Sequence, residues 1–320
     1  MKLTNYQKNW IVAGISFLIC AGISMALGFG ISSITKTPVK ARESGQNESV
    51  ADNETTPEPS DSEPVDDTPG TVIIADLSAD ERDAIAAAKD GTIKDYYLSD
   101  NKDSGNRPIS ASQLSETMKA SYGKKVRVFM SDPKSIGLSF VLREENGENT
   151  IYILDQLKEK NVQATFIVDL DYTINNPTVI ERIIGDGHTL ASMGSAIYAE
   201  GFPSLSLEEQ NVNAMDIQRY LRMNYDYEIQ DFHFYNDKYS EQSIELLTRM
   251  GYNIDFYTVC YPDYDAGAEI DANAFLGAME SAVHDGAIYT FHTVNSASLL
   301  VVPALITSLR DQGYTVGPIE

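Results

Sequence analysis

From about residue 131 the chain alternates short apolar runs with segments in which apolar residues recur every three or four positions. Runs such as Ile136–Val141 and Gln163–Asp169 are typical of buried strands, whereas Thr150–Lys160 and Ser240–Met250 are typical of amphipathic helices. Repeated strand–helix units predict a mostly parallel sheet. The number of units favours a closed or partly closed barrel over an open sheet. In barrels of this kind the functional site lies at the carboxyl ends of the strands.

The same patterns extend along the rest of the chain. Further strands are predicted at 188–193, 229–235, 252–260, 287–292 and 314–318, and further helices at 177–184, 206–223, 272–283 and 298–311. Two capping boxes, Ser78-Ala-Asp-Glu81 and Ser206-Leu-Glu-Glu209, mark helix starts. Residues 71–130 are predicted to form a small α/β adaptor region, with strands at 71–75 and 126–130, a helix from Ser78 to about Lys89, and another opened by Ser110 or Ser112.

The amino-terminal part predicts a membrane anchor. Residues 10–34, from Trp10 to Ile34, are 25 positions without a charge. At 1.5 Å per residue such a helix exceeds a hydrocarbon core of about 30 Å. Gly28-Phe29-Gly30 also fits a signal cleavage site, so both an uncleaved anchor and a cleaved signal remain open, and the length favours the anchor. The positive-inside rule is nearly balanced here. We place residues 1–9 in the cytoplasm and the C-terminal domain outside it, in a single-pass protein of the plasma membrane.

The distribution of charge along the chain separates a linker from the folded domain. Residues 43–70 carry nine acids and no base, with many prolines and serines, and predict a disordered acidic linker over about 35–70. The whole chain has a net charge of -23, and residues 71–320, with 38 acids and 19 bases, keep about -19 of it. Such a field repels nucleic acid and anionic surfaces, so no nucleic-acid partner is expected and a neutral or cationic partner fits better.

Several segments carry a family resemblance in their order and spacing. These are Ile136-Gly-Leu-Ser-Phe140, Asn161-Val-Gln-Ala-Thr-Phe-Ile-Val168, Gly185-Asp-Gly-His-Thr-Leu190, Leu205-Ser-Leu-Glu-Glu209, Met250-Gly-Tyr-Asn-Ile254, Gly286-Ala-Ile-Tyr-Thr-Phe-His292 and Leu309-Arg-Asp-Gln-Gly-Tyr-Thr-Val316. Over about 190 residues the chain resembles the polysaccharide deacetylases, family 4 carbohydrate esterases of the chitooligosaccharide deacetylase type. The resemblance implies an α/β fold, a distorted (β/α) barrel over 131–320.

The resemblance also implies a chemistry. Such enzymes use two adjacent aspartates, one as base and one as metal ligand, two histidines four residues apart, an arginine that orients the base and a late histidine as general acid. The metal polarises the acetyl carbonyl and lowers the pKa of its bound water from about 15.7 towards 7.

Most of these residues are replaced in this chain. Val141 and Leu142 stand at the aspartate pair, Met193 and Ile197 at the histidine pair, and His233 at the arginine. Tyr257 falls near the tryptophan of the fourth motif and Thr258 at its acidic neighbour, and only the last histidine persists, as His292. Hydrocarbon side chains cannot hold a cation, and a thioether is a poor ligand for hard or borderline metals. No metal or other cofactor is therefore expected.

The candidate site residues follow from the same alignment of motifs. His292 is the residual catalytic candidate, and His233, Tyr235, Asp169 and Tyr257 are candidate ligand-binding residues at strand ends. Tyrosine and histidine there can stack on a sugar face. For each of them a purely structural role remains the alternative.

Three functions remain open at this point. The first is a non-catalytic glycan-binding or interaction protein of the cell envelope, a pseudoenzyme. The second is a hydrolase of N- or O-acetyl groups on polysaccharide, in which Glu144 or Glu145 joins His233 and His292 around zinc or another divalent metal. The third is a scaffold for another membrane or wall protein.

Overall fold

The computed structural model describes residues 77–88, 92–96, 101–194 and 201–320. None of the helices in this part of the chain has the length and hydrophobicity needed to span a bilayer. The predicted anchor at 10–34, the predicted linker at 35–70, the strand at 71–75 and Ile197 lie outside the described residues.

The strands of the described part are short, apart from one. They are β1 (Lys94–Asp95), β2 (Val126–Arg127), β3 (Ser135–Leu142), β4 (Thr165–Val168), β5 (Thr189–Ser192), β6 (Asp231–His233), β7 (Lys238–Tyr239), β8 (Asn253–Asp255), β9 (Val259–Cys260), β10 (Ile288–His292) and β11 (Thr315–Gly317). The helices are α1 (Ala79–Ala87), α2 (Ile109–Tyr122), α3 (Asn149–Glu159), α4 (Leu170–Asn175), α5 (Pro177–Gly185), α6 (Leu207–Tyr225), α7 (Glu241–Arg249), α8 (Ala272–Ser281) and α9 (Ala297–Asp311).

Nine strands form one curled parallel sheet. Their order is β2-β8-β6-β5-β4-β3-β10-β9, and β11 pairs with the amino end of β3 beside β4. Strands β8 and β9 lie towards opposite ends of this order, yet only residues 256–258 separate them. So short a connection brings the two ends of the sheet together, and the sheet curls into a half-barrel. The predicted parallel (β/α) barrel is thereby confirmed at the level of its sheet and helices.

The core lies between this sheet and the helices. Along β3, alternate residues face opposite sides, as in any strand. Phe140 stacks on Phe166 of β4 with ring centroids 5.1 Å apart and lies 5.9 Å from Phe291 of β10, beneath the helices. The residues between them, such as Ser139 and Val141, face the barrel interior. At about 25 cal/mol per Å², these fully buried aromatic rings supply a large part of the stabilisation.

Both predicted capping boxes are confirmed. Ser78 and Glu81 form the box at the start of α1, and Ser206 and Glu209 form the box at the start of α6. In each box the serine hydroxyl accepts from the glutamate backbone N–H, and the glutamate side chain accepts from the serine backbone N–H. The predicted caps Ser110 and Ser112 are wrong, because α2 already begins at Ile109 behind Pro108.

The single strand predicted at 252–260 consists of two separate strands, β8 and β9. The apolar pattern at 252–260 predicts one continuous strand, but β8 and β9 pair with different neighbours, β8 with β2 and β6 and β9 with β10. Between them Thr258 is buried, and its Oγ1 accepts from the backbone N–H of Ile288 at 3.0 Å. The antiparallel β1–β7 ladder and the short helix α4 have no counterpart among the predicted elements.

Candidate functional site

The barrel interior opens at the carboxyl ends of the strands, which we call the mouth. On the side formed by β3, β4 and β5, four buried apolar side chains pack together: Val141, Ile167, Ala191 and Met193. All except Val141, which is 7% exposed, are completely buried. We call these four residues the apolar wall. Successive side chains of a strand point to opposite faces, so the interior-facing residues of β3, β4 and β5 meet one another. They therefore form a small cluster inside the sheet, separate from the core beneath the helices.

Of the two aliphatic residues predicted to replace the aspartates, only Val141 faces the mouth. Leu142, its neighbour on the same strand, is fully buried on the opposite face, among the core residues beneath the helices. Successive side chains of a strand point to opposite faces, so the two cannot line one site together. Met193, predicted at the first histidine position, lies in the apolar wall next to β5.

A tyrosine and an arginine cover the apolar wall. Tyr235, a predicted ligand-binding residue, packs against it and is half-buried. The Arg143 guanidinium lies 4.3 Å from the centre of the Tyr235 ring and donates a hydrogen bond to the Tyr235 hydroxyl. Arg143 is exposed, so this pair presents a cationic, planar surface to solvent above an apolar floor.

Opposite the apolar wall, β6, β8 and β10 present polar groups. His233 ends β6, is buried, and its Nδ1 lies 2.9 Å from the backbone carbonyl of Asp255. Burial, against the opposing effect of the hydrogen bond to the Asp255 carbonyl, lowers the pKa of His233 to about 4. His233 is therefore a neutral imidazole at physiological pH. We call His233, Tyr257, Asp263 and His292 the polar wall.

Beneath His233 lies an ionic cluster that is absent from the predictions made on the sequence. Arg127 of β2 donates to both carboxylate oxygens of Asp255, at 2.6 and 3.0 Å, and to Asp231 at 2.7 Å. Asn253 donates to the same Asp231 oxygen at 2.9 Å. Burial raises the pKa of Asp255 to about 7, against the opposing effect of Arg127. The polar wall thus continues inward as a hydrogen-bonded network.

Tyr257 is buried within the polar wall. Its hydroxyl donates to Asp237, its ring lies 5.8 Å from that of His233, and burial raises its pKa. Tyr96, next to β1, donates to the Tyr257 backbone carbonyl and packs on its ring at 5.6 Å. Only 7% of the Tyr257 surface is exposed, so this residue packs behind the side chains that line the mouth.

His292, the candidate catalytic residue, is half-buried and forms a dyad with a buried aspartate that the sequence analysis missed. Its Nδ1 lies 2.8 Å from Asp263 Oδ1, and its backbone N–H donates to Asp263 Oδ2 at 3.0 Å. Ser298 also donates to Oδ2, at 2.9 Å, and Asp263 is completely buried. The arrangement fixes the imidazole and leaves its other nitrogen towards the mouth. Tyr264, which is 66% exposed, lies edge-on to His292 at 5.9 Å.

The position assigned to the fourth-motif acid, Thr258, has a different role. Its hydroxyl lies 3.0 Å from Nε2 of His284, whose Nδ1 lies 2.8 Å from the Ala282 carbonyl. His284 is thus a hydrogen-bonded core residue. The acid that meets His292 comes five residues later, at Asp263. The sequence signal that could have identified Asp263 is an acid just after β9 together with a histidine at the end of the neighbouring β10.

Asp169, a predicted ligand-binding residue, caps a helix. It precedes α4, and its Oδ1 accepts from the backbone N–H of Tyr172 at 2.7 Å. Burial raises its pKa. Asp169 is only 8% exposed, so it is a buried helix cap and not a solvated loop carboxylate.

Those residues at the mouth that the structure describes do not fit a divalent metal. Glu145, one of the two glutamates offered as a shifted ligand, instead accepts from Thr150 at 2.7 Å and from Tyr172. Glu144 is exposed. Within the described ranges no group of three histidine, cysteine or acidic side chains has the arrangement to hold a metal ion. The wall that would supply the ligands in the resemblance consists of hydrocarbon and one thioether, which are not donors for such ions.

Comparisons with known proteins agree with this fold. No protein-family model matches the sequence. The chain is similar to the peptidoglycan-N-acetylmuramic acid deacetylase PdaA of Bacillus subtilis, with 26% identity over 197 residues, which are 58% of this chain and 70% of that protein. The solved structure of PdaA, a family 4 carbohydrate esterase, superposes with a TM-score of 0.64 at 21% identity, covering 72% of this chain and 96% of PdaA.

A second solved structure shares this fold. BA3943 of Bacillus anthracis, described as a pseudoenzyme of the same esterase family, superposes with a TM-score of 0.55 at 21% identity, covering 60% of this chain and 66% of BA3943. A BA3943 mutant with restored enzymatic activity superposes equally well, at 20% identity. The chain therefore has the fold of the polysaccharide deacetylases.

Proposed function

We propose that this chain, which has the polysaccharide deacetylase fold, is a membrane-anchored protein of the cell envelope that binds a glycan without hydrolysing it. The observation that carries the proposal is the apolar wall. Deacetylation in this fold class depends on a metal that acidifies a bound water, and the mouth offers hydrocarbon where that metal needs oxygen or nitrogen donors.

The exposed groups at the mouth suit a sugar. Tyr235 and Tyr264 provide partly or largely exposed rings, and apolar sugar faces stack on aromatic rings. The guanidinium of Arg143 and the imidazole of His292 provide polar contacts beside those rings. His233 and Tyr257 are buried, so we assign them to support of the mouth rather than to direct contact with the glycan.

The proposed location rests on the sequence. The uncharged run at 10–34 would hold the protein in the plasma membrane, and the acidic linker would extend the domain towards the envelope. The strong negative charge of residues 71–320 favours a neutral or cationic glycan.

The proposal is tested by calorimetric titration of the full chain in detergent with chitotetraose and with peptidoglycan fragments. We expect binding, with a loss of about two- to tenfold in affinity for Tyr235→Ala and for Tyr264→Ala, since stacking on one ring contributes on the order of 0.5–1.5 kcal/mol. Tyr220→Ala, which removes a half-buried tyrosine from the outer helix α6, is the matched control and should leave binding unchanged.

The alternative, a metal-dependent deacetylase, is favoured by one observation, the intact dyad of His292 and Asp263. It predicts acetate release from acetylated glycans that depends on zinc and disappears with a chelator. Such a result would overturn the non-catalytic role. A protein partner captured without any glycan binding would instead support the scaffold function.

A further inference from the structure

The mouth contains a carboxylate that takes no part in an ion pair with any described residue. Asp237 lies between β6 and β7 and is half-buried. Its Oδ1 accepts from the hydroxyl of Tyr257, whereas Oδ2 has no hydrogen-bond partner in the described part of the chain. Burial raises the pKa of Asp237, against the opposing effect of the hydrogen bond from Tyr257. The protein therefore compensates this negative charge poorly, and a cationic ligand would stabilise it.

The backbone holds Asp237 in place at the mouth. Its φ of 57° lies in the left-handed region, which aspartate and asparagine adopt more readily than most residues. Its carbonyl accepts from the backbone N–H of Tyr96 at 2.7 Å, next to the β1–β7 ladder. The two lysines of that ladder, Lys94 and Lys238, are already paired with other acids at 2.6 and 2.7 Å. The nearby cations thus neutralise other carboxylates.

Two histidines present hydrogen-bond acceptors on the same side of the mouth. The Nδ1 of His292 faces the Asp263 carboxylate, and the Nδ1 of His233 faces the Asp255 carbonyl. Because both partners accept, each Nδ1 carries the proton, and the Nε2 of the neutral ring has a lone pair. Neither Nε2 has a partner among the described residues, and neither is fully enclosed, in contrast to the unpaired Nε2 of His188. Both lone pairs are therefore open towards the mouth.

The carboxylate and the two lone pairs lie within electrostatic reach of one another. Tyr257 links two of them, because its hydroxyl donates to Asp237 and its ring lies 5.8 Å from that of His233. Burial lowers the pKa of His233 and raises that of Asp237, each against its own hydrogen bond, and a positive charge on His292 lowers both. One small ligand group can therefore interact with all three.

An ammonium group matches this set of acceptors. A protonated primary amine has three N–H donors and no acceptor, whereas an acetamide also has a carbonyl oxygen, which the carboxylate and the lone pairs would repel. The excess of acids over bases in residues 71–320 attracts a cation as well. The exposed ring of Tyr264, 5.9 Å from that of His292, provides an aromatic face for the rest of a sugar.

We propose that the mouth selects a glycan unit with a free amino group, a de-N-acetylated amino sugar, whose ammonium donates to Asp237 and to Nε2 of His292. His233 lies behind them and contributes the partial negative charge of its Nε2 lone pair. This inference rests on the proposed glycan binding at the mouth and narrows the ligand to a cationic sugar.

The test compares two ligands of equal length and linkage, chitotetraose and its fully de-N-acetylated counterpart, by calorimetric titration of the full chain in detergent. A slightly acidic buffer keeps the amines protonated, whereas His233, with a pKa of about 4, stays neutral. We expect the de-N-acetylated tetramer to bind about tenfold more tightly, because hydrogen bonds between charged groups are stronger than those between neutral groups.

Asp237→Asn tests the carboxylate. Asparagine keeps the shape, suits the left-handed backbone and can still accept from Tyr257, so we expect a folded protein that has lost the preference for the de-N-acetylated tetramer. Asp311→Asn is the matched control. It removes the same charge from an exposed residue at the end of α9, near the amino ends of the strands, and should leave the preference unchanged.

A second measurement needs no folded variant of Asp237. In nitrogen-15 NMR of the wild type with labelled histidine, the Nε2 resonance of His292 should shift on titration with the de-N-acetylated tetramer, since a hydrogen bond alters the shielding of the lone-pair nitrogen. The chain has only four histidines, so this resonance is assignable by substitution. Saturable binding of this tetramer without any shift of the His292 resonance would overturn the inference.

The other outcomes separate this inference from the proposed function. Equal affinity for the two tetramers, or tighter binding of chitotetraose, would overturn the inference and leave glycan binding at the mouth intact. A preference that survives in Asp237→Asn, or that Asp311→Asn removes equally, would assign it to the charge of the whole domain. Nα-acetyl-lysinamide binding as tightly as the de-N-acetylated tetramer would overturn the assignment to a sugar. Binding of neither tetramer would overturn both proposals.

Discussion

The apolar wall and the polar wall face each other across one mouth, on the same parallel sheet, and differ in almost every physical respect. The apolar wall consists of four nonpolar side chains, which pack together without hydrogen-bonding groups. The polar wall has a histidine–aspartate dyad, a neutral buried histidine and, beneath it, an arginine bound to two aspartates. In the deacetylase resemblance, one position of the aspartate pair (Val141) and the first metal histidine (Met193) fall on the first wall, whereas the arginine position (His233) and the general-acid histidine (His292) fall on the second.

This difference indicates which part of a site a fold can lose at little cost. Metal ligands on β3 to β5 contribute nothing to packing, and replacing them by aliphatic residues adds buried apolar contact. The polar groups of the other wall hold one another through hydrogen bonds, so removing any one leaves its buried partners unsatisfied. The hydrogen bonds of the His292–Asp263 dyad therefore stabilise the fold, whether or not the dyad has a chemical role.

A carboxylate placed in the apolar wall is the strongest test of the difference between the two walls. Val141→Asp places an ionisable group among Ile167, Ala191 and Met193, whose side chains cannot donate a hydrogen bond to it. We expect the free energy of unfolding to fall by about 3–5 kcal/mol, because an unpaired buried charge is strongly unfavourable. Urea denaturation followed by circular dichroism measures this loss.

Val141→Thr is the matched control, since it keeps the shape and adds an uncharged hydroxyl. Its expected cost is about 1–3 kcal/mol, below that of the aspartate. A Val141→Asp protein as stable as the wild type, with or without zinc, would contradict the distinction between the walls and would restore the case for a latent metal site.

The polar wall is tested through pH. The pKa of His233 is about 4 in the folded protein and near 6.5 in the unfolded chain, so below pH 6.5 the unfolded state binds a proton that the folded state does not. Stability contributed by neutral His233 is present above pH 6.5 and lost as the pH falls towards 4, by about 3 kcal/mol in total. In His233→Phe this loss should disappear, as seen in urea denaturation at pH 7 and pH 4.5.

Asp255 provides the control of opposite sign. Its pKa of about 7 lies above the unfolded value, so the folded state holds the extra proton and gains stability as the pH falls from 7 towards 4. Asp255→Asn should therefore make the protein more sensitive to acid than the wild type. Equal pH profiles for the wild type and both variants would show that neither group titrates as its burial requires.

The fold was predictable because the elements that define it depend on local patterns. The capping boxes at Ser78 and Ser206 and the long amphipathic segments carry their own start signals, and the alternation of strand and helix determines a parallel sheet. What failed depends on tertiary pairing. The split of 252–260 into β8 and β9 follows from the curling of the sheet, which no local apolar run contains.

The site was predictable only at strand ends matched by the resemblance. His233 and His292 end β6 and β10 as the motif order requires. Asp263 and Arg127 were missed because their partners lie 29 and 128 residues away along the chain. The side to which Val141 and Leu142 point was also out of reach, because a one-residue uncertainty in strand register exchanges the two faces.

The dyad gives the next prediction. Asp263→Asn keeps a carbonyl oxygen for Ser298 or the His292 backbone but cannot accept from all three donors that now meet the carboxylate. We expect a loss of about 2 kcal/mol in unfolding free energy, since hydrogen bonds to a charged acceptor contribute about 1.5–3 kcal/mol. Ser298→Ala, which removes one donor only, should cost about 1 kcal/mol. A larger loss for Ser298→Ala than for Asp263→Asn would assign the role of this cluster to the serine.

The smallest effect concerns the cover of the apolar wall. Arg143→Met keeps an extended side chain over the Tyr235 ring but removes the guanidinium and its hydrogen bond. Because the pair is largely exposed, we expect a loss of only about 0.5–1 kcal/mol. The double-mutant cycle with Tyr235→Phe isolates the coupling between the two side chains, and Arg219→Met, at an exposed surface pair, is the control with about 0–0.5 kcal/mol. A coupling of zero would mean that Tyr235 is held by the apolar wall alone. Arg143 would then be free to reorient towards a ligand at the mouth.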